Sequence, residues 1–142
     1  MKIKEIESQI VEEFDNFDDW MDKYTYLIEM GKSLPLIENE FKIDNNLISG
    51  CQSKVWLHAS YENGKVIFTA DSDAIITKGI INLLIRIFSN QAPDDIINAD
   101  LNFISEIGLQ EHLSPTRSNG LLSMIKQMKL YALVFKTKMQ NQ

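Results

Sequence analysis

One stretch of this chain reads as a β-hairpin, and it limits what the remainder can build. Val55, Leu57 and Ala59 alternate with Trp56, His58 and Ser60, the period-two pattern of a strand with one buried face. Glu62-Asn63-Gly64-Lys65 follows, and Asn-Gly suits the left-handed conformations of a type I′ turn. Residues from Lys65 to Ala70 are again rich in β-formers. The spacing predicts an antiparallel pair over 54–61 and 65–71. A hairpin alone is marginal in water, so helices must cover its apolar face, with room for a third short strand.

Helical periodicity supplies those covers. Ile3, Ile6, Ile10 and Phe14 share one face of a charged segment. Asn16 is placed to cap a second helix, with Asp18 and Asp19 near its positive end; Trp20, Tyr24, Leu27 and Ile28 form its apolar face and Gly31 its stop. Pro35 forces Leu34 out of helical conformation, and the irregular segment up to Gly50 reads as a loop with one short turn. Asp71-Ser72-Asp73 offers capping side chains to a helix carrying Ile75, Ile76, Ile80, Leu83, Leu84 and Ile87. Its near-continuous apolarity marks it as the central helix. Pro93 starts a short helix, Gly108 closes another short element, and Ser114-Pro115 opens a last helix bearing Leu121, Ile125, Met128, Ala132 and Phe135. Lys136 and Lys138 then suit the negative end of that helix. The fold class is α+β: a small antiparallel sheet packed against several helices. With no internal repeat, low-complexity tract or linker, residues 1–142 read as one domain.

Charge and cysteine count exclude several functions. Lys plus Arg number 14 against 20 Asp plus Glu, a formal charge of -6, so the basic footprint of a general nucleic-acid binder is missing. No segment reaches the ~18 apolar residues of a membrane span. The start of the chain alternates charge with Ile and lacks the apolar region of a signal peptide. The expectation is a cytoplasmic protein without membrane or nucleic-acid partners. The one cysteine, Cys51, excludes an internal disulfide and a cysteine-held zinc or iron–sulfur centre. No phosphate-binding glycine loop is present either.

Cys51 is the candidate reactive group. It lies at a loop-to-strand junction, where scaffolds place reactive groups. Gly50 before it frees the backbone. Gln52, Ser53 and Lys54 after it offer hydrogen bonds, and an approaching Lys54 would lower the thiol pKa. The competing reading is a small buried hydrophobe. A Cys–His hydrolase would need a histidine nearby. His58, roughly 20 Å along a strand from Cys51, is badly placed, whereas His112 in the loop Glu111-His112-Leu113-Ser114 is free to approach or to serve as a surface or capping residue. The Asp71/Asp73 pair reads as helix caps before it reads as metal ligands.

Three segments together resemble a known family. N-L-I-S-G-C-Q-S-K-V-W (46–56) is similar to the sulfur-acceptor segment of the SufE family, partners of cysteine desulfurases. A-D-S-D-A-I-I-T-K-G-I (70–80) and E-H-L-S-P-T-R-S-N-G-L-L-S-M-I (111–125) match in the family's order and spacing. The resemblance runs from about the second helix onward and implies the SufE/IscU-like fold. It also implies that Cys51 accepts sulfur from the persulfide of a SufS-type, pyridoxal-phosphate-dependent desulfurase and delivers it to a SufB-type iron–sulfur scaffold. The pyridoxal phosphate belongs to that partner, so no cofactor is expected here and the chain is not a stand-alone enzyme. One thiol suffices for a carrier because the partner supplies the other half of each exchange. A second nearby thiol would resolve the persulfide into a disulfide.

Within that reading Cys51 is tucked against the surface and swings out on the Gly50 hinge when a partner docks. Gln52, Ser53, Asp71, Asp73, His112 and Arg117 are candidates for orienting the loop or meeting the partner, and Gly120 allows the last helix to pack closely on it. Two alternatives stand beside the carrier: an allosteric activator of the desulfurase that carries no sulfur, and an independent thiol hydrolase. A homodimer is also open.

Overall fold

The computed structural model describes residues 1–140. Over those residues it is an α+β fold: two N-terminal helices, one hairpin, and four further helices. In chain order these are α1 (Ile3–Asp15), α2 (Trp20–Gly31), β1 (Val55–Glu62), β2 (Lys65–Ser72), α3 (Ile75–Phe88), α4 (Pro93–Ile97), α5 (Phe103–Glu106) and α6 (Pro115–Gln140).

The hairpin forms where the alternation places it. Leu57 faces Ala70 and Glu62 faces Lys65 across the antiparallel ladder, and Asn63 and Gly64 adopt φ of 53° and 81° at the turn. Val55, Leu57, Val66, Phe68 and Ala70 point into the core. In place of a third strand, isolated bridges occupy both outer edges: Leu36 with Ala70, Val66 with Gln91, and Leu47 with Trp56. Ala70 N–H donates to Pro35 O and Ala70 O accepts from Ile37 N–H, each at 3.0 Å. The segment between α2 and β1 contains two short 3₁₀ turns, Asn39–Phe41 and Asp44–Asn46. It serves as an edge strap that satisfies backbone groups and leaves little exposed edge for aggregation.

Helix α3 lies at the centre, with ten of its 14 residues buried. Its buried Asn82 donates to Met30 O at 2.6 Å, which offsets the cost of burying the amide. Gly31 is not the stop expected from its type: it is the last residue of α2, and Lys32 follows in right-handed conformation. Its smallness serves the α2–α3 crossing. A Cβ there would lie 3.0 Å from Gly79 N, and one at Gly79 would lie 2.2 Å from Leu27 O. Two caps also differ from expectation. Asp19, not Asn16, accepts the Asp22 N–H at the start of α2. Helix α3 has Ala74 at its N-cap and no side-chain cap bond; Asp71 and Asp73 are engaged elsewhere.

Glu13 of α1 grips Arg86 of α3 through two bonds of 2.8 Å, and the Tyr26 hydroxyl of α2 donates to the same carboxylate. This network joins three helices at the end of α1.

Candidate functional site

Cys51 sits on the tip of a short loop whose base is fixed. Ile48 N–H donates to Val55 O at 2.8 Å. Lys54 N–H donates to Asp73 Oδ1 at 3.1 Å, and Asp73 N–H returns a bond to Lys54 O at 3.3 Å. Asp73 is therefore a clamp on the loop and not a helix cap. Asp71 is likewise no cap. Lys42 meets it at 2.8 Å and Lys78 at 3.3 Å. Burial pushes its carboxyl up, but these two amines and the Ser72 N–H outweigh that and hold it below its ordinary value. The neighbouring Ser72 hydroxyl receives the Ala74 N–H.

At the tip, Gly50 has φ of +90°, and a Cβ on it would fall 2.4 Å from Ser123 Oγ. Only glycine reaches this conformation without strain. The Cys51 side chain turns inward, half-buried, with Sγ 3.7 Å from Gly120 O. Gly120 matters by proximity: a Cβ there would touch Sγ at 3.6 Å. Burial raises the thiol pKa. Lys54, expected to lower the pKa if it approached, does not line the cavity, and desolvation disfavours the thiolate.

The thiol opens into a cavity of about 230 Å³. One wall is the loop itself, with Gln52 and Ser53. A second is α3, through Thr77 and Ile80. The third is the beginning of α6, with Ser114, Thr116 and Arg117 at the mouth and Met124 deeper. Ser114 Oγ accepts the Arg117 N–H at 3.3 Å and so caps α6.

Gly50, Gln52, Ser53 and Arg117 thus gather around Cys51, while Asp73 stands at the base of its loop. His112 is placed elsewhere. Its ring stacks on Trp20 at 4.1 Å, its Nδ1 meets Gly108 O at 2.8 Å, and its carbonyl accepts from the Tyr24 hydroxyl. His58 stacks on Phe41 at 3.9 Å, on the outward side of β1. Neither histidine lines the cavity, so a cysteine–histidine pair is not assembled. Thr77, Thr116 and Ser123 were missed from the sequence. Each is one polar position on a helix, and nothing but the crossing of that helix over the loop brings it to the thiol. Among the described residues, no group of three or more His, Cys, Asp or Glu side chains is arranged to hold a metal, and no helix is long and apolar enough to cross a membrane.

The comparisons with known proteins agree with this architecture. An uncharacterised SufE-like protein of Rhizobium meliloti is 40% identical over 126 residues, covering 85% of this chain and 90% of that protein. One from Rhizobium etli is 41% identical over 131 residues, covering 89% and 88%. The solution structure of a hypothetical protein from Thermus thermophilus superposes with a TM-score of 0.77 at 21% identity, covering 93% of this chain and 96% of that one; at this identity it speaks for the fold. The family described as SufE, Fe-S metabolism associated domain, matches residues 8–132. This chain, with its thiol on a clamped loop over the start of α6, belongs to the SufE family.

Proposed function

We propose that this protein is a sulfur carrier: Cys51 takes sulfur from the persulfide of a SufS-type cysteine desulfurase and passes it to a SufB-type iron–sulfur scaffold. The observation that supports this most is the placement of the chain's one thiol, on a glycine-hinged tip above a cavity. In the uptake step the Cys51 thiolate attacks the terminal sulfur of the donor persulfide, a new S–S bond forms, and the donor cysteine leaves as thiolate. No external oxidant is needed.

Burial serves this task in two ways. In the cavity the thiol is held neutral, because desolvation raises its pKa. Swinging out on Gly50 restores water and so favours the thiolate where a donor persulfide waits. After transfer, return to the cavity shields the sulfur from reductants. Arg117 and Asp73 are the residues we assign to orienting the loop. We place the protein in the cytoplasm, with pyridoxal phosphate confined to the desulfurase.

The test is intact mass after incubation with a cysteine desulfurase, pyridoxal phosphate and cysteine. Gain of one sulfur on Cys51 is expected. A Cys51→Ala variant that docks and still fully stimulates the desulfurase would instead favour a non-carrying activator.

A further inference from the structure

The Cys51 cavity is larger and harder, chemically, than one sulfur atom requires. Its 230 Å³ is many times the ~10–15 Å³ that admits a water molecule. Sulfur is a weak hydrogen-bond acceptor, yet the walls present hydroxyls from Ser53, Thr77, Ser114 and Thr116. Thr77 is the telling one. It is only 6% exposed, and its hydroxyl has no hydrogen-bond partner among the described residues. Thr77 lines the cavity. A buried hydroxyl left without a protein partner calls for a ligand or water.

The electrostatics favour an anion with strong acceptors. In a chain of formal charge -6, the cavity wall has, among the described residues, no carboxylate and one charged side chain, Arg117. The wall also contains the first turn of α6, a 26-residue helix, whose positive end attracts anions. Arg117 and Cys51 both line the cavity. The cavity leaves space for a small molecule with an oxyanion at one end and a transferable sulfur at the other.

We propose that the Cys51 cavity is a subsite for a small sulfur oxoanion of the thiosulfate class, from which Cys51 takes sulfur without a protein donor. The sulfonate oxygens are held by Arg117, Thr77 and the first turn of α6, and the sulfane sulfur faces Sγ. The Cys51 thiol gives up its proton and attacks that sulfane sulfur as the thiolate, forming an S–S bond. The S–S bond of thiosulfate breaks, sulfite leaves with its electron pair, and the thiol proton goes to sulfite or solvent. Cysteine thiol plus thiosulfate gives persulfide plus sulfite, with no other oxidant or reductant. This rests on Cys51 being the sulfur acceptor of the preceding section and adds a second donor.

The experiment incubates the reduced full-length protein with sodium thiosulfate and no desulfurase, following intact mass and released sulfite. The expected result is one sulfur on Cys51 per sulfite, saturating with thiosulfate and competed by inorganic sulfate. Loading should slow roughly tenfold to a hundredfold in Arg117→Ala, as for loss of a charge-assisted contact, with partial rescue in Arg117→Lys. Thr77→Val, nearly isosteric, should raise the half-saturating concentration several-fold. Loading by the desulfurase but not by thiosulfate overturns this inference and spares the carrier reading. Loading by neither overturns both, and loading by thiosulfate alone upholds the subsite while removing the protein donor. Non-saturable loading that ignores Arg117→Ala also overturns it.

Discussion

The sulfur of Cys51 rests 3.7 Å from the carbonyl oxygen of Gly120, so the reactive side chain is tethered to the second turn of α6 by a weak S–H···O contact. The base of the same loop is held by ordinary backbone bonds at Ile48–Val55 and Lys54–Asp73. Weak tip and strong base together make a hinged finger: the tip can leave the cavity without unfolding the hairpin that supports it.

The first prediction concerns acidity. Because burial raises the Cys51 pKa, the thiol ionises at higher pH than an ordinary free thiol. Alkylation by iodoacetamide should be slower than for free cysteine at neutral pH and should keep rising with pH after the free amino acid has levelled off. A rate profile that bends at or below the free-thiol value would contradict the buried resting state.

Gly50 tests the hinge. With φ of +90° and Ser123 Oγ at 2.4 Å from a built Cβ, Gly50→Ala introduces backbone strain of about 1–3 kcal/mol, together with a contact that the Ser123 hydroxyl must rotate to relieve. The strain is local to the tip, so the loop should shift outward. Faster alkylation of Cys51 with little loss of overall stability is the expected pair of results. Unchanged alkylation in urea-stable protein would mean that the tip conformation does not control access.

Two helical glycines should respond with opposite sign. Gly79→Ala forces a methyl to 2.2 Å from the Leu27 backbone oxygen, where only separation of α2 and α3 gives relief; overpacking of this kind destabilises by about 1–3 kcal/mol. Gly120→Ala puts its methyl at 3.6 Å from Cys51 Sγ, an ordinary contact. Its gain in helix propensity should leave stability unchanged or raised by about 0.5–1 kcal/mol. Urea unfolding of the two variants compares them directly.

Glu13→Gln probes the three-helix network. Arg86, by its hydrogen bonds, and then Tyr26 hold the Glu13 carboxyl below its ordinary value against the opposing effect of burial. A depressed folded pKa means stability that is present above the unfolded value near 4.3 and lost as pH falls through the folded one. The two side chains are 32% and 29% exposed, so screening keeps the expected loss at pH 7 to about 1–2 kcal/mol. The gap between wild type and variant should narrow at pH 3. A gap equal at both pH values would show that charge is not what the network contributes.

Most of the architecture was legible because it depends on local periodicity. The hairpin was expected over 54–61 and 65–71 and occupies Val55–Glu62 and Lys65–Ser72, since alternation and Asn-Gly act within a few residues. The burial of α3 followed from its apolarity. The roles of Asp71 and Asp73 did not follow, because carboxylates beside a helix start look alike whether they cap it or answer Lys42, Lys78 and the Lys54 amide. Asn16 and Asp19 pose the same problem at α2: both are capping types, but Asn16 closes α1 and Asp19 immediately precedes α2.

For the site, the residues around Cys51 in sequence, and Arg117 through its motif, could be named without coordinates. Local chemistry and spacing mark a reactive loop and the start of the last helix. What required the tertiary structure was the meeting of these parts with Thr77, Ser123 and Gly120, and the departure of His112 to Trp20. The acidity of the thiol likewise emerged only there: a linear sequence shows that Lys54 is near along the chain, but desolvation is a property of the walls that close around the sulfur, and those walls come from three separate elements.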